Sequence, residues 1–139
     1  MTDRELCNAA VRAMAASYAP YSGYRVGAAL LTAEGTLFTG CNIENAAFTP
    51  TVCAERTAVF KAVSEGCRRF VRLAIAGGRG GVLQGGAPPC GVCRQVLAEF
   101  CPPEMEILIV TGQDSADRYT LGELLPQAFT PRQVLGRDG

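Results

Sequence analysis

Three cysteines and one glutamate lie in two short segments that could hold a metal ion and carry out acid–base chemistry. Cys53 and Glu55 are two residues apart, and Cys90 and Cys93 enclose a Cys-Gly-Val-Cys motif. Each segment stands where a loop enters a predicted helix, and a helix N-terminus favours a thiolate. If the two helix starts converge, three thiolates meet one ion. Zinc with three protein ligands keeps a fourth position for water, as in a catalytic site.

Glu55 suits the proton transfers that such a zinc site needs. A carboxylate beside a zinc-activated water can accept the proton of the water and return it to a leaving group. Three thiolates give the zinc centre a net negative charge, which opposes deprotonation of that water. We therefore expect a positive group nearby, and Arg56 is the candidate, as a donor to the thiolates.

The composition excludes several other classes of site. The chain of 139 residues contains no histidine, which rules out a Ser-His-Asp triad, an HExxH zinc helix and a Cys-His pair. Thirteen acidic and thirteen basic side chains cancel, so no overall field attracts nucleic acid or an anionic membrane. Seven cysteines, an odd number, without a signal peptide predict a reducing cytoplasmic location. No apolar run approaches the ~20 residues that span a bilayer.

Strands that alternate with helices must position these residues, and they predict one α/β domain over residues 1–139. Helical spacing predicts helices at residues 3 to about 17, 54–64, 91–100 and 121–125. Apolar runs predict strands at residues 24–32, 37–41, 71–76 and 106–111, with a hairpin turn at Glu34-Gly35. Residues 77–86, which include six glycines, are predicted as a loop without a phosphate-binding role.

The two cysteine segments resemble the zinc signature of the cytidine deaminase superfamily in its all-cysteine form. The similarity to small homotetrameric cytidine deaminases covers nearly the whole chain and includes Tyr21-Ser22, residues 26–30, residues 40–46 and Leu124-Leu125-Pro126. The resemblance implies a three-layer α/β/α sandwich with a mixed central sheet of about five strands. It also implies one zinc ion per subunit and the hydrolytic deamination of cytidine and 2′-deoxycytidine to uridine and 2′-deoxyuridine, with release of ammonia.

Residue by residue, the resemblance implies that Cys53, Cys90 and Cys93 bind zinc, that Glu55 is the proton shuttle and that Arg56 bonds to the ligand sulfurs. It further implies a set of substrate-binding residues: Tyr24, Asn42, Glu44, Ala46, Phe48, Ala54 and Phe129.

The resemblance implies different kinds of contact for these substrate-binding residues. Asn42 and Glu44 would hydrogen-bond ribose hydroxyls, and the backbone of Ala54 would meet the edge of the pyrimidine ring. Phe129 would reach the site of a neighbouring subunit. Tyr24 stands where the family usually has phenylalanine and Phe48 where tyrosine is common, so a hydroxyl is gained at one edge of the pocket and lost at another.

Simpler interpretations exist for the same residues. Cys90 and Cys93 alone would suit a structural zinc knuckle or a redox motif, although a structural zinc site normally recruits a fourth cysteine. Glu55 suits the first turn of any helix. Asn42 and Glu44 could serve as loop or capping residues, and Phe129 as a packing residue. Two further sets are predicted to have no chemistry, the remaining cysteines (Cys7, Cys41, Cys67 and Cys101) and a solvated basic run (Arg68, Arg69 and Arg72).

Two other functions compete with a nucleoside deaminase. One is a related deaminase acting on a cytosine-containing antibiotic or on cytosine in nucleic acid. A neutral chain with 7% aromatic residues lacks the positive channel and stacking surface that a polynucleotide needs, and the Asn-Ile-Glu-Asn run at residues 42–45 favours a sugar over an antibiotic. The other is a non-catalytic zinc-binding or thiol-redox module.

Overall fold

A five-stranded mixed sheet forms the centre of the protein. The computed structural model describes residues 1–136. The strands are β1 (Tyr24–Thr32), β2 (Leu37–Cys41), β3 (Phe70–Arg79), β4 (Glu106–Gly112) and β5 (Ser115–Thr120), in the spatial order β2-β1-β3-β4-β5. β3 and β4 are parallel, and the other neighbouring pairs are antiparallel. The parallel pair follows from the helical crossover that joins the two strands.

Five helices accompany the sheet: α1 (Asp3–Ala13), α2 (Ala54–Ser64), α3 (Gly91–Phe100), α4 (Leu121–Leu124) and α5 (Pro131–Leu135). α1 begins with a capping box, in which Thr2 Oγ1 accepts from the Glu5 N–H at 3.1 Å and the Glu5 side chain accepts from the Thr2 N–H at 3.0 Å. This pair satisfies two of the N–H groups that a helix start leaves without partners.

Successive strand residues point to opposite faces of the sheet and separate two apolar layers. On β1, Ala28 and Leu30 join the cluster that contains α2 and α3. Ala29 and Leu31, on the same strand, join the cluster that contains α1. β3 and β4 alternate in the same way. The predicted three-layer α/β/α arrangement with five strands is therefore confirmed.

α2 lies unusually close to β2 because of a glycine on that strand. A Cβ atom at Gly40 would lie 2.4 Å from the carbonyl oxygen of Ala54 and 2.5 Å from the nitrogen of Ala58, distances that no side chain tolerates. Ala54, Ala58 and Ala62 are fully buried along this contact. The first turn of α2 is thus fixed against the end of β2.

The predicted elements differ from the structure in four places. The first helix ends at Ala13 and continues only as a 3₁₀ turn to Ala16, whereas the prediction ran to about residue 17. Residues 77–79 were predicted as loop but belong to β3, where Tyr24 pairs with Arg79. β5 and α5 were not predicted.

Arg72 is half-buried and pairs with Asp3, so its prediction as part of a solvated face was wrong.

None of the helices described in residues 1–136 has the length and apolar character needed to cross a bilayer.

Candidate functional site

The N-termini of α2 and α3 meet where β1 begins and where β2 and β3 end. Cys53 is the N-cap residue of α2, and Cys90 is the N-cap residue of α3. Their Sγ atoms lie 3.7 Å apart, and the Sγ of Cys93 lies 3.5 Å from that of Cys90. The predicted convergence of the two cysteine segments is therefore present in the structure.

The donor set and spacing of this cluster fit a zinc ion. All three Sγ atoms lie within 4.8 Å of one another. Tetrahedral zinc with Zn–S bonds of about 2.3 Å places its sulfur ligands about 3.8 Å apart. Within residues 1–136 no other group of three or more cysteine or acidic side chains comes together in this way. Three protein ligands leave one position of a tetrahedron open.

Hydrogen bonds favour the thiolate form of Cys53. The Cys93 thiol and the guanidinium of Arg56 act as donors to its sulfur and lower the pKa of Cys53 to about 5. Arg56 Nη2 lies 3.3 Å from Cys53 Sγ. The structure thus places Arg56 against a candidate ligand sulfur, as the resemblance implies.

Glu55 lies in the first turn of α2 with only 4% of its surface exposed. Burial raises the pKa of Glu55 to about 7, because a charged carboxylate is poorly solvated there. A carboxyl group in this state can both accept and donate a proton near neutral pH. Helix α2 therefore carries a candidate ligand sulfur at its N-cap and a candidate proton-transfer group two residues later.

A cavity of about 290 Å³ opens against Cys53, Glu55 and Cys90. Its volume is near the lower end of small-molecule pockets, which run from about 300 Å³ upward. The remaining wall residues come from β1, from the loops before α2 and α3, and from the start of α2: Tyr24, Val26, Asn42, Thr51, Val52, Ala54, Gly86, Ala87 and Pro88. Among residues 1–136, no arginine or lysine lines this cavity.

A second cavity of about 420 Å³ adjoins the first, and Thr51 lines both. Its other lining residues are Tyr21, Ser22, Glu44 and Phe48. The rings of Tyr21 and Phe48 meet edge to face with centroids 5.7 Å apart. Phe48 is 67% exposed and has a φ of 61°, an uncommon conformation for a bulky residue.

Hydrogen bonds within the chain use most of the capacity of the Asn42 side chain. Its Oδ1 accepts from the N–H of Val26 at 2.9 Å and from the hydroxyl of Ser17. Its Nδ2 donates to the carbonyl of Tyr24 at 2.8 Å. An amide group has two donors and two acceptor lone pairs, so one N–H of Asn42 remains for a ligand.

Residues of the loop before β1 donate hydrogen bonds to the Glu44 carboxylate. Its Oε1 accepts from the N–H groups of Tyr21 at 2.9 Å and Ser22 at 3.1 Å, and its Oε2 accepts from the hydroxyl of Ser22. These bonds, with that of the Ser22 side chain first, hold the pKa of Glu44 below its usual value. Three of about four acceptor positions of the carboxylate are used, which leaves one for a ligand.

The structure brings most, but not all, of the predicted substrate residues together. Tyr24, Asn42 and Ala54 line the first cavity, and Glu44 and Phe48 line the second. Two residues line neither cavity. Ala46 is an exposed loop residue. Phe129 is 62% exposed, and its carbonyl accepts from Gln95 Nε2 at 2.8 Å.

Sequence reasoning missed Thr51 and the loop residues 86–88 as wall residues. Nothing in their types points to a pocket, because only the packing of the loops brings them to it. Ser22 belongs to the Tyr21-Ser22 similarity. Its contact with Glu44 spans 22 positions of the sequence, so no local sequence pattern predicts it.

Comparisons with known proteins agree with this geometry. Residues 1–109 match the family model described as the cytidine and deoxycytidylate deaminase zinc-binding region. The chain is 46% identical over 133 residues to a cytidine deaminase of Halalkalibacterium halodurans, covering 95% of this chain and 98% of that protein. It is 47% identical over 118 residues to a cytidine deaminase of Sporosarcina psychrophila, covering 85% and 84%. The crystal structure of a cytidine deaminase from Burkholderia pseudomallei matches with a TM-score of 0.85 and 43% identity, covering 93% of this chain and 100% of that one.

Proposed function

The chain belongs to the cytidine and deoxycytidylate deaminase family, and from this membership and the site geometry we propose that it catalyses the zinc-dependent hydrolytic deamination of cytidine and 2′-deoxycytidine. The products are ammonia and uridine or 2′-deoxyuridine, a reaction of pyrimidine salvage. One observation carries the proposal. Two cysteines of the three-cysteine cluster, Cys53 and Cys90, and the buried Glu55 border the same small cavity.

The residues of the chain divide the work of the reaction. Cys53, Cys90 and Cys93 hold one zinc ion per subunit, which supplies Lewis-acid activation of a water molecule. The Glu55 carboxylate accepts one proton from the attacking water and delivers it to N3 of cytosine. It then takes the second proton from the hydroxyl attached to C4 and delivers it to the amine, so the C4–N bond breaks and ammonia leaves. Arg56, which donates to Cys53 Sγ, partly neutralises the thiolates. Because C4 becomes tetrahedral, the site favours a hydrated-ring mimic over the planar substrate.

The hydrogen-bond capacity of Asn42 and Glu44 supports recognition of a single sugar hydroxyl. One N–H of Asn42 and one lone pair of Glu44 remain after the bonds within the chain are counted. A hydroxyl accepts from the first and donates to the second. The 3′-hydroxyl is common to cytidine and 2′-deoxycytidine, so this arrangement accepts both nucleosides.

The other substrate residues complete the contacts around the nucleoside. The ring of Tyr24 packs on it, and the backbone of Ala54 meets the pyrimidine edge. Ala46 and Phe48 belong to the same substrate-lining stretch, residues 42–48.

The charges of the two cavities favour a nucleoside over a nucleotide. Within the described part of the chain, their lining residues include the carboxylates Glu44 and Glu55 but no arginine or lysine. A phosphate group normally requires positive side chains or free N–H groups at a helix start. A 5′-phosphate in these cavities would instead meet negative charge, so 2′-deoxycytidine is the better substrate than its monophosphate.

The proposal also includes the oligomeric state and the cellular location of the protein. We expect a homotetramer of single-domain chains in the cytoplasm, in which Phe129 closes the site of a neighbouring subunit against water. The high exposure of Phe129 in a single chain supports such a contact.

Zinc analysis together with an ultraviolet assay tests the proposal, since deamination changes the cytosine chromophore. We expect about one zinc per subunit and activity on cytidine and 2′-deoxycytidine. Parallel assays with cytosine, adenosine, deoxycytidine monophosphate and blasticidin S should show little or no turnover. Preference for blasticidin S would indicate an antibiotic deaminase. Bound zinc without turnover of any of these compounds would indicate a non-catalytic zinc module.

A further inference from the structure

We propose that Ser22 is a positioning residue that fixes the Glu44 carboxylate for recognition of the 3′-hydroxyl of the nucleoside, an inference that rests on the proposed function. Ser22 lies in the loop that precedes β1 and lines the second cavity beside Glu44. It makes no contact with the cysteine cluster among the bonds described above. Its hydroxyl and its backbone N–H both donate to Glu44, so we expect its effect on catalysis to pass through that carboxylate.

Ser22 binds both oxygens of the Glu44 carboxylate. Its backbone N–H donates to Oε1 at 3.1 Å, and its hydroxyl donates to Oε2. The N–H of Tyr21 adds a second bond to Oε1 at 2.9 Å. A carboxylate held at both oxygens cannot rotate about its terminal bond without breaking one of these contacts. The free lone pair of Oε2 consequently points in one direction.

The Ser22 hydroxyl is itself fixed in the orientation that serves Glu44. Its oxygen accepts from the N–H of Tyr24 at 3.0 Å, so its single proton is directed to the carboxylate. The carbonyl of Ser22 accepts from Arg79 Nη1 at 2.9 Å. Ser22 thereby ties Glu44 to Tyr24, whose side chain lines the first cavity.

Solvent access explains why Glu44 needs this support. The side chain faces an open cavity, where water competes for its oxygens and several rotamers are available. Only the hydroxyl of Ser22 occupies Oε2, since the backbone donors both go to Oε1. Removal of the hydroxyl leaves the carboxylate in place but frees the oxygen that receives the sugar hydroxyl.

The test compares Ser22→Ala with wild type on 2′-deoxycytidine and on 2′,3′-dideoxycytidine, which lacks the 3′-hydroxyl. For Ser22→Ala we expect kcat/KM on 2′-deoxycytidine to fall about 5- to 10-fold, mainly through KM, which corresponds to the net contribution of one ordinary hydrogen bond because the carboxylate itself remains. We expect less than about a 2-fold change on 2′,3′-dideoxycytidine, because that substrate makes no use of Glu44. Ser22→Thr keeps a hydroxyl and should recover most of the lost kcat/KM.

Two controls separate this role from a general effect on the fold. Ser64→Ala removes an exposed hydroxyl whose only described bond is to the carbonyl of Lys61, and it should leave both substrates unchanged. In a Glu44→Ala background, Ser22→Ala should cause no further loss on 2′-deoxycytidine, because residues that act through one another are not additive.

The outcomes distinguish this inference from the proposed function. Equal losses on both substrates, or no loss on either, in an active enzyme would overturn the role of Ser22 and leave the deaminase proposal intact. A further loss in the Glu44→Ala background would overturn it as well. Wild-type protein without activity on cytidine or 2′-deoxycytidine would overturn both.

Discussion

Cys53 and Cys90 each occupy the N-cap position of a helix, and their Sγ atoms lie 3.7 Å apart although 37 positions of sequence separate them. Two helix N-termini, each with free N–H groups and a positive dipole end, therefore point toward one cluster of sulfur atoms. This arrangement stabilises negative charge on the sulfurs without any histidine in the chain. Hydrogen bonds from Cys93 and Arg56 act in the same direction at Cys53, whose pKa lies well below that of an ordinary thiol.

Replacement of one cluster cysteine should weaken zinc binding strongly. In Cys90→Ser a hydroxyl, which is a poor zinc ligand, replaces the thiolate. We expect zinc affinity to fall by about two orders of magnitude or more, with loss of deamination, as measured by elemental analysis after dialysis and by the ultraviolet assay. Cys67→Ser is the matched control, because Cys67 lies outside the cluster. Full zinc content in Cys90→Ser would contradict the assigned ligand.

Removal of the carboxylate of Glu55 should separate metal binding from turnover. Glu55→Gln keeps the shape of the side chain but cannot accept the proton, so we expect kcat to fall by about 10³-fold or more with about one zinc retained per subunit. Glu65→Gln, at the exposed C-terminal end of α2, should behave as wild type. Near-normal turnover by Glu55→Gln would refute its role as proton shuttle.

Truncation of Phe129 should affect the substrate site only through a neighbouring subunit. For Phe129→Ala we expect KM for cytidine to rise about 3- to 10-fold, in line with the loss of an aromatic contact, or the oligomer to dissociate. Kinetics and light scattering measure the two effects. Val134→Ala removes another exposed apolar side chain of the C-terminal segment and should not raise KM. Unchanged kinetics in an intact oligomer would make Phe129 a packing residue.

A methyl group at Gly40 should loosen the contact between β2 and α2. Because the new Cβ would lie 2.4 Å from the Ala54 carbonyl oxygen, the helix must shift, and we expect Gly40→Ala to lower the free energy of unfolding by about 1–3 kcal/mol. Zinc affinity should fall too, since Cys53 precedes Ala54. A Cβ at Gly91 meets no atom within 4 Å, so Gly91→Ala should change stability by less than about 0.5 kcal/mol. Denaturant unfolding measures both.

The ion pairs of Asp3 should stabilise the fold at neutral pH but not in acid. Arg118 first, and then Arg72, hold the pKa of Asp3 below its usual value. A carboxyl pKa that is lower in the folded state gives stability above the unfolded pKa, and this stability is lost as the pH falls through the folded pKa. Asp3 is about 40% exposed, so solvent screening limits the effect.

For Asp3→Asn we therefore expect the free energy of unfolding to fall by up to about 1 kcal/mol at pH 7, and the difference from wild type to shrink as the pH falls below the ordinary pKa of an aspartate, about 3.9. Urea unfolding at a series of pH values measures this difference in the free energy of unfolding. Asp114→Asn, which removes one exposed ion pair with Arg4, should have a smaller effect. A constant difference at every pH would show that charge on Asp3 is not the cause.

Sequence reasoning located the buried elements better than the exposed ones. β1, β2, α2 and α3 have the predicted bounds, because each combines an apolar pattern with a clear start or stop signal. β5 consists mainly of exposed polar residues and pairs only with β4, so it carries no alternation of apolar residues. α5 has no buried residue. At residues 77–79 the glycines suggested a loop, yet β3 continues there by pairing with the start of β1. Position 78 needs glycine because a Cβ there would collide with the Val82 carbonyl.

In the candidate site, too, some features could be predicted from the sequence and others could not. Metal ligands and the adjacent glutamate could be found because their side-chain chemistry and short spacing are local properties of the chain. The anchoring of Glu44 by Ser22 and of Asn42 by Ser17 depends on loops that meet only in the folded protein. Such contacts leave no periodic signal, and they decide how many hydrogen bonds each side chain can still offer a ligand.

Burial within the sulfur cluster is uneven. Cys93 is completely buried, whereas Cys90 is exposed and lines the first cavity together with Cys53. A chelator or an oxidant must therefore approach through the same opening as the nucleoside. We therefore expect a bound nucleoside to slow the removal of zinc by a chelator, because it would fill the cavity that Cys53 and Cys90 line.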